Sequence, residues 1–152
     1  MNLAVQGNTL PAQSDDALAK VQRAEEIILA LPQIDIQTEH IIHGGMYART
    51  IRLNAEDVIT GALYKVPTVV IVNGRCAMFA GDHWIQVSGY QVMAGSKGRK
   101  LMFIAQEPTE ITMIFRTDAK TVEDAENEFT DEAGSLMSRK QGDKDIVIVT
   151  GE

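Results

Sequence analysis

The sequence predicts a mainly β domain with one α-helix on either side, and three observations carry that expectation. The hydrophobic spacing changes from a helical period to a period of two after Pro32, and changes back after Phe115. Turn signals recur about every 8–12 residues between those points, as in an all-β sandwich or barrel. Each helical segment also carries its own start signal, Ser14 before Asp15-Asp16 and Thr121 before Glu123-Asp124.

Residues 1–13 read as a flexible lead. From Ser14, Leu18, Val21, Ile28 and Leu31 fall near one helical face until Pro32 stops the run, giving a helix of about four turns over 14–32. The barrel spans 34–118, with strands expected at Met46–Leu53, Val58–Lys65, Thr68–Val72, Arg75–Phe79, Trp84–Val87, Tyr90–Met93, Leu101–Ala105 and Glu110–Phe115. Asn73-Gly74 predicts a two-residue hairpin turn, since both positions tolerate positive φ. "AGDH" at 80–83 predicts a second turn, and "AGSKG" at 94–98 a Gly-rich loop. Thr121 then opens a helix over 121–138, in which Val122, Ala125, Phe129, Ala133 and Leu136 recur at helical spacing and the acidic residues read as a solvated face. A linker and the apolar tail "IVIV" fill 139–152, and such a tail is expected to pair with a sheet edge.

With 152 residues the chain has the size of one domain and can bury a real core. One cysteine, Cys76, excludes an internal disulfide and reads as a small buried hydrophobe. No apolar run is long enough to span a bilayer, and no basic, apolar leader is visible, so the expected location is the cytoplasm. The net charge of −7 is uneven: residues 40–120 hold nine basic and six acidic residues, leaving the flanks five against fifteen. An acidic chain is a poor match for general nucleic-acid binding, but a mildly basic centre suits a small anion.

The order of short strands, turn, hairpin and Gly-rich loop resembles the cupins, small jelly-roll barrels also called double-stranded β-helices. "DVITGALYKVPTVVIVNGRCAMF" resembles their first motif and "GYQVMAGSKGRKLMFIAQEPTEITMIF" their second. "GGMYARTIRL", "TGALYK", "GRK" and "AENEFTDEAGSLMSRK" resemble small cupin-like proteins of tailed phages and prophages. The resemblance covers roughly residues 30–140, and it implies fold and origin more than function.

Metal-binding cupins carry two alternating histidines and a carboxylate in the first motif and a third histidine in the second. This chain offers Tyr64, Lys65, Val66, Pro67 and Thr68 in the one and Arg99-Lys100 in the other. Cationic groups have no lone pair free for a metal, so neither a metal nor another cofactor is expected. Period two puts Tyr47, Arg49, Ile51 and Leu53 on one strand face, which should point inward with Arg49. Arg49 then either pairs with an acid such as Glu107 or Glu110, or grips an anionic ligand. Lys65 shares a face with Ile59, Gly61 and Leu63 and is expected inward, with Tyr64 opposite. Tyr47, Arg49, Tyr64, Lys65, Arg99 and Lys100 are thus the candidate ligand-binding residues, with separate salt bridges as the competing reading. His40 and His43, spaced by three in a strand or loop, point apart and read as polar loop residues rather than metal ligands. Trp84 reads as core or interface packing.

The expected function is non-enzymatic binding of a small anion, a nucleotide among the candidates, in a basic pocket of a homo-oligomer, with a phage countering host defence as one setting. The alternatives are an accessory protein of phage structure or assembly, and a metal-dependent cupin enzyme with non-standard ligands.

Overall fold

The structure, a computed structural model, describes residues 8–152. It is mainly β: nine strands lie between and beside helices near both ends of that range. The first strand, β1, is only Thr9–Leu10, paired in parallel with a later strand, and Leu10 is fully buried. Of the lead expected over 1–13, Thr9 and Leu10 are therefore strand, and residues 1–7 lie outside the described residues.

Helix α1 covers Asp15–Leu29, with the Ser14 hydroxyl accepting from Ala17 N at 3.1 Å. It is shorter than the 14–32 span, because only Ala17 and Val21 bury fully and the last turn loses its apolar footing. Two strands follow, β2 (Thr38–His43) and β3 (Met46–Leu53), paired antiparallel with His40 opposite Arg49. Strand β4 is Val58–Thr60 alone, so the expected strand to Lys65 breaks off after three residues.

The largest departure is at Asn73-Gly74, which is not a turn. Strand β5 runs unbroken over Thr68–Ala80 and pairs along its whole length with β6, His83–Gly95. The reversal sits at Gly81-Asp82, inside the second expected turn. Gly74 (φ +144°) faces Gly89 (φ +76°), and a Cβ at Gly74 would lie 2.7 Å from the Pro108 carbonyl oxygen. Glycine is there because the ribbon passes close to the neighbouring backbone, not because the chain reverses. Before Gly74, β5 pairs with β8 (Thr109–Arg116); after it, with β7 (Met102–Ala105).

The β5–β6 ribbon thus joins two parts of one rolled sheet. The long part has the order β1-β6-β5-β8-β3-β2-β9 and the short part adds β7 and β4. Their inner faces share one core, in which Val70, Val72, Cys76, Met78, Phe103 and Ile111 are buried together. The Cys76 thiol is pushed up to about 11 by burial.

Thr121 caps helix α2, Val122–Phe129, accepting from Asp124 N at 3.2 Å. The expected helix to 138 stops there, gives way to a 3-10 turn at Ala133–Ser135, and resumes as the single turn α3, Met137–Lys140. Strand β9, Ile146–Val149, pairs in parallel with β2, so the apolar tail finds an edge within its own chain. Its four side chains stay exposed. Trp84 is also half exposed, against the edge of Phe79.

Candidate functional site

Alternation along β3 sends Tyr47, Arg49, Ile51 and Leu53 to the interior, and the strand register then builds a wall. Arg49 lies between His40 of β2 and Met113 of β8, Met113 beside Val70 of β5, and Ile51 between Thr38 and Ile111. These walls enclose a cavity of about 140 Å³. Its sides are mainly aliphatic, with Leu101 and Phe103 beside the β3 wall, and Phe129, Leu136 and Met137 of the C-terminal segment complete the apolar lining. The polar members of its lining are Arg49, Arg99, Lys100, Tyr64 and Thr38, with the carboxylates Glu25 and Glu132 and the hydroxyls of Thr60 and Ser135.

Arg49 is almost fully buried, and its partner is neither Glu107 nor Glu110. Nη1 donates to Glu126 of α2 at 2.8 Å and to the Tyr47 hydroxyl at 3.4 Å, and the guanidinium lies 5.6 Å from the Phe129 ring centre. Glu110 is engaged by Arg52 instead. Burial works against charge on Glu126, yet hydrogen bonds from Ser138 and the charges of Arg49 and Arg139 leave its carboxyl below the ordinary carboxylate value. The reading of the acidic helix as a solvated face is corrected here, because Glu126 is buried. A signal was present: Val122, Ala125, Glu126 and Phe129 form an i, i+3, i+4, i+7 stripe, which places this acid on the apolar side.

A directed chain of hydrogen bonds leaves Arg49. The Tyr47 hydroxyl meets His40 Nδ1 at 2.7 Å, and His40 Nε2 meets Asp145 at 3.0 Å. With Asp145 accepting from Nε2–H, the Tyr47 O–H donates to Nδ1 and receives the Arg49 bond. Burial pushes the Tyr47 phenol up to about 12 and, with the Arg49 charge, holds His40 below its ordinary value. Tyr47 is fully buried behind the cavity wall, and His40 is a buried strand residue rather than a loop histidine. His43 points outward to Thr150, and no group of three metal-ligating residue types gathers among the described residues.

Lys65 and Tyr64 exchange the places expected for them. Because β4 ends at Thr60, alternation from Ile59 does not carry to residue 65. Lys65 is exposed and paired with Asp131 at 2.6 Å, outside the cavity, while Tyr64 lines it. Lys100 is buried between Glu25 of α1 at 3.1 Å and Glu132 at 2.9 Å. Carboxylates of residues 126–132 therefore meet Arg49, Lys65 and Lys100 alike, so the expected open cationic pocket is largely neutralised within the chain.

Arg99 is the exception. It is fully buried, stacks 4.5 Å from the Tyr64 ring centre, and donates to the Ser96 carbonyl and the Thr68 hydroxyl. It makes no ion pair with a carboxylate among the described residues, whose nearby acids pair with Arg49 and Lys100 instead, and its Nε has no hydrogen-bond partner among them. Burial pulls its pKa down, with Tyr64 opposing. Gly95 makes the seat, since a Cβ there would lie 2.6 Å from Arg99 Cζ. The Thr38 hydroxyl, also fully buried on the cavity wall, is likewise unpartnered among the described residues.

No family model and no curated protein matches the sequence. Solved structures do. The chain is similar to a cupin superfamily protein from Desulfitobacterium hafniense, at 10% identity over 58% of this chain and 83% of that one, with a TM-score of 0.48. It is also similar to a cupin-2 domain protein from Rhodospirillum rubrum, at 14% identity over 54% and 60% with a TM-score of 0.45. A third, from Shewanella frigidimarina, is 15% identical over 62% and 91%, with a TM-score of 0.41. At these values the likeness says nothing of ligand or activity, and the strand order itself establishes the rolled β architecture.

Proposed function

We propose that the protein is a binding protein, not an enzyme, which holds a compact monoanion with an apolar body in the barrel cavity. The observation that carries this reading is Arg99, a buried guanidinium on an apolar cavity wall with no carboxylate partner among the described residues. An uncompensated buried charge is expensive, and a ligand acid would satisfy both it and the Thr38 hydroxyl. Arg49 has one carboxylate and Lys100 two, so Arg99 is the cation of this wall without a carboxylate partner among the described residues. A cavity near 140 Å³ resembles the roughly 150 Å³ that admits a single benzene-sized molecule. That argues for a small organic acid over the whole nucleotide the sequence suggested. The resemblance to phage proteins supports a setting in which a host metabolite or signal is held out of circulation in the host cytoplasm.

Thermal scans against benzoate, butanoate, inorganic phosphate and a nucleoside monophosphate test the reading. At a hundredfold excess over Kd, a bound acid adds about 2.7 kcal/mol of stability, several degrees in Tm for a chain of this size. The expected result is a shift with the organic acids that is lost in Arg99→Met. A shift with the nucleotide alone, or one that survives Arg99→Met, would overturn it.

A second reading concerns association. The outer face of the long sheet carries one apolar row across six strands, Ala94, Val69, Ile114, Ala48, Ile41 and Ile148, matched by the register. Val69, Ile41 and Ile148 are substantially exposed. We propose that copies of the chain meet on this face as a homo-oligomer. Native mass spectrometry should show more than one chain, reduced to a monomer by Val69→Lys with Ile41→Lys; a wild-type monomer at micromolar concentration would refute it.

A further inference from the structure

A second cavity, about 120 Å³, lies beside the first. The two share Glu25, Ile36, Ile59, Thr60, Ser135 and Met137 as walls. Beyond these the second is lined by Ile28, Leu29, Pro32, Ile34 and Val58 under the C-terminal end of α1, with Gln33 and Lys140 as its further polar members. Around it Ile27, Leu29 and Leu31 stand more than half exposed. Exposed apolar residues at the end of a surface helix carry a cost, and of these three Leu29 lines the cavity itself.

A polar clasp stands where the rooms share walls. Glu25 accepts from the Thr60 hydroxyl at 2.6 Å and meets Lys100 Nζ at 3.1 Å, and Lys100 also reaches Glu132 at 2.9 Å. The clasp ties α1 to the barrel and to the C-terminal segment. Glu25 and Glu132 each keep roughly a third of their side-chain surface exposed, so the clasp stands at the solvent side of the wall rather than deep in the core.

We propose that the two rooms are one binding site for a single-chain amphiphile with a carboxylate head. This rests on the reading of the first cavity as a monoanion site. The head lies in the inner room, where Arg99 supplies one uncompensated charge and Thr38 one free hydroxyl. The chain passes the clasp and fills the aliphatic outer room, and α1 is the side from which it enters. A monoanionic head is preferred to a phosphate monoester, because a dianion would need a second unpaired cation in the inner room, where Arg49 and Lys100 already face carboxylates and which Lys140 of the outer room does not line.

Calorimetry or native mass spectrometry with straight-chain carboxylates of about four to twelve carbons tests this. Each methylene that enters an apolar wall should tighten binding about fourfold, up to a plateau where the outer room is full. Ile28→Trp, which fills the outer room alone, should move the plateau to shorter chains and leave butanoate binding unchanged. Leu29→Trp on the rim gives the same readout if the first variant folds poorly. Butanoate binding with no gain on lengthening, or a plateau that neither variant moves, would overturn the amphiphile and leave the inner site standing. Tighter binding of octyl phosphate than of octanoate would overturn the carboxylate head. Failure of every acid, short and long, would overturn the inner-site reading together with this one.

Discussion

Two buried guanidiniums border the same cavity, and they are held in opposite ways. Arg49 sits in a charge-paired network: a carboxylate at 2.8 Å, a phenol, an aromatic ring, and behind them a histidine and a second acid. Arg99 has a ring, a carbonyl and a hydroxyl, but no acid among the described residues, and one N–H is left over. The first arrangement fastens the C-terminal segment to the barrel. The second leaves a charge for something else. Side-chain type did not distinguish them; the supply of carboxylates from 126–132 did.

If that contrast is right, the largest effect should come from breaking the Arg49 pair. Glu126→Ala strands a buried charge and should cost about 3–5 kcal/mol in denaturant unfolding. A loss under about 1 kcal/mol would mean that Arg49 does not depend on Glu126. Next is the seat of Arg99. Gly95→Ala drives a Cβ into the guanidinium and should cost about 1–3 kcal/mol. Pairing it with Arg99→Met should recover most of the loss, and no recovery would place the strain elsewhere.

Titration gives the third test. His40 is held below its ordinary 6.5, so below that pH the unfolded chain takes up a proton that the folded one resists. Stability should therefore fall as pH drops below about 6.5, by up to about 1.4 kcal/mol per unit. Asp145, pushed above its ordinary 3.8, opposes this only in the acid range, while Glu126 and Glu132, held below 4.5, add a further loss there. His40→Asn should flatten the slope between about pH 6.5 and 5, and an unchanged slope would assign it to other groups. The smallest effects belong to the two extremes of exposure and pairing. Arg99→Met should leave stability within about 1 kcal/mol of the parent or raise it, because a buried charge without an acid contributes little to folding. Lys65→Ala should cost under about 1 kcal/mol, as expected of an exposed pair.

Most of the sheet was legible because alternation is a local property. Strand β3 and the inward direction of Arg49 follow from Ile51 and Leu53 without any knowledge of neighbours. The two failures share another cause. Asn73-Gly74 has the composition of a turn, but its glycine answers to the Pro108-Thr109 backbone more than thirty residues away. Lys65 was placed by alternation from Ile59, and the irregular chain after Thr60 broke the count. The partners of Arg49 and Lys100 were illegible for the same reason, since Glu126 and Glu132 reach them only once the C-terminal segment has packed against the barrel. Thr38 gave no signal, because a threonine in a strand is ordinary until its surroundings are known.

The glycine crossing in the β5–β6 ribbon also fixes how the gene can change. Thirteen consecutive pairs bind the two strands, and alternate side chains on each face opposite sides. Deleting one residue before position 74 would turn Val70 out to solvent and Val69 in, while Cys76 and Met78 beyond the crossing kept their places. One half of β5 would be inverted relative to the other half. Length variation in this chain should therefore collect in the hairpin at 81–82 and in the segment between β6 and β7, while the ribbon accumulates substitutions only.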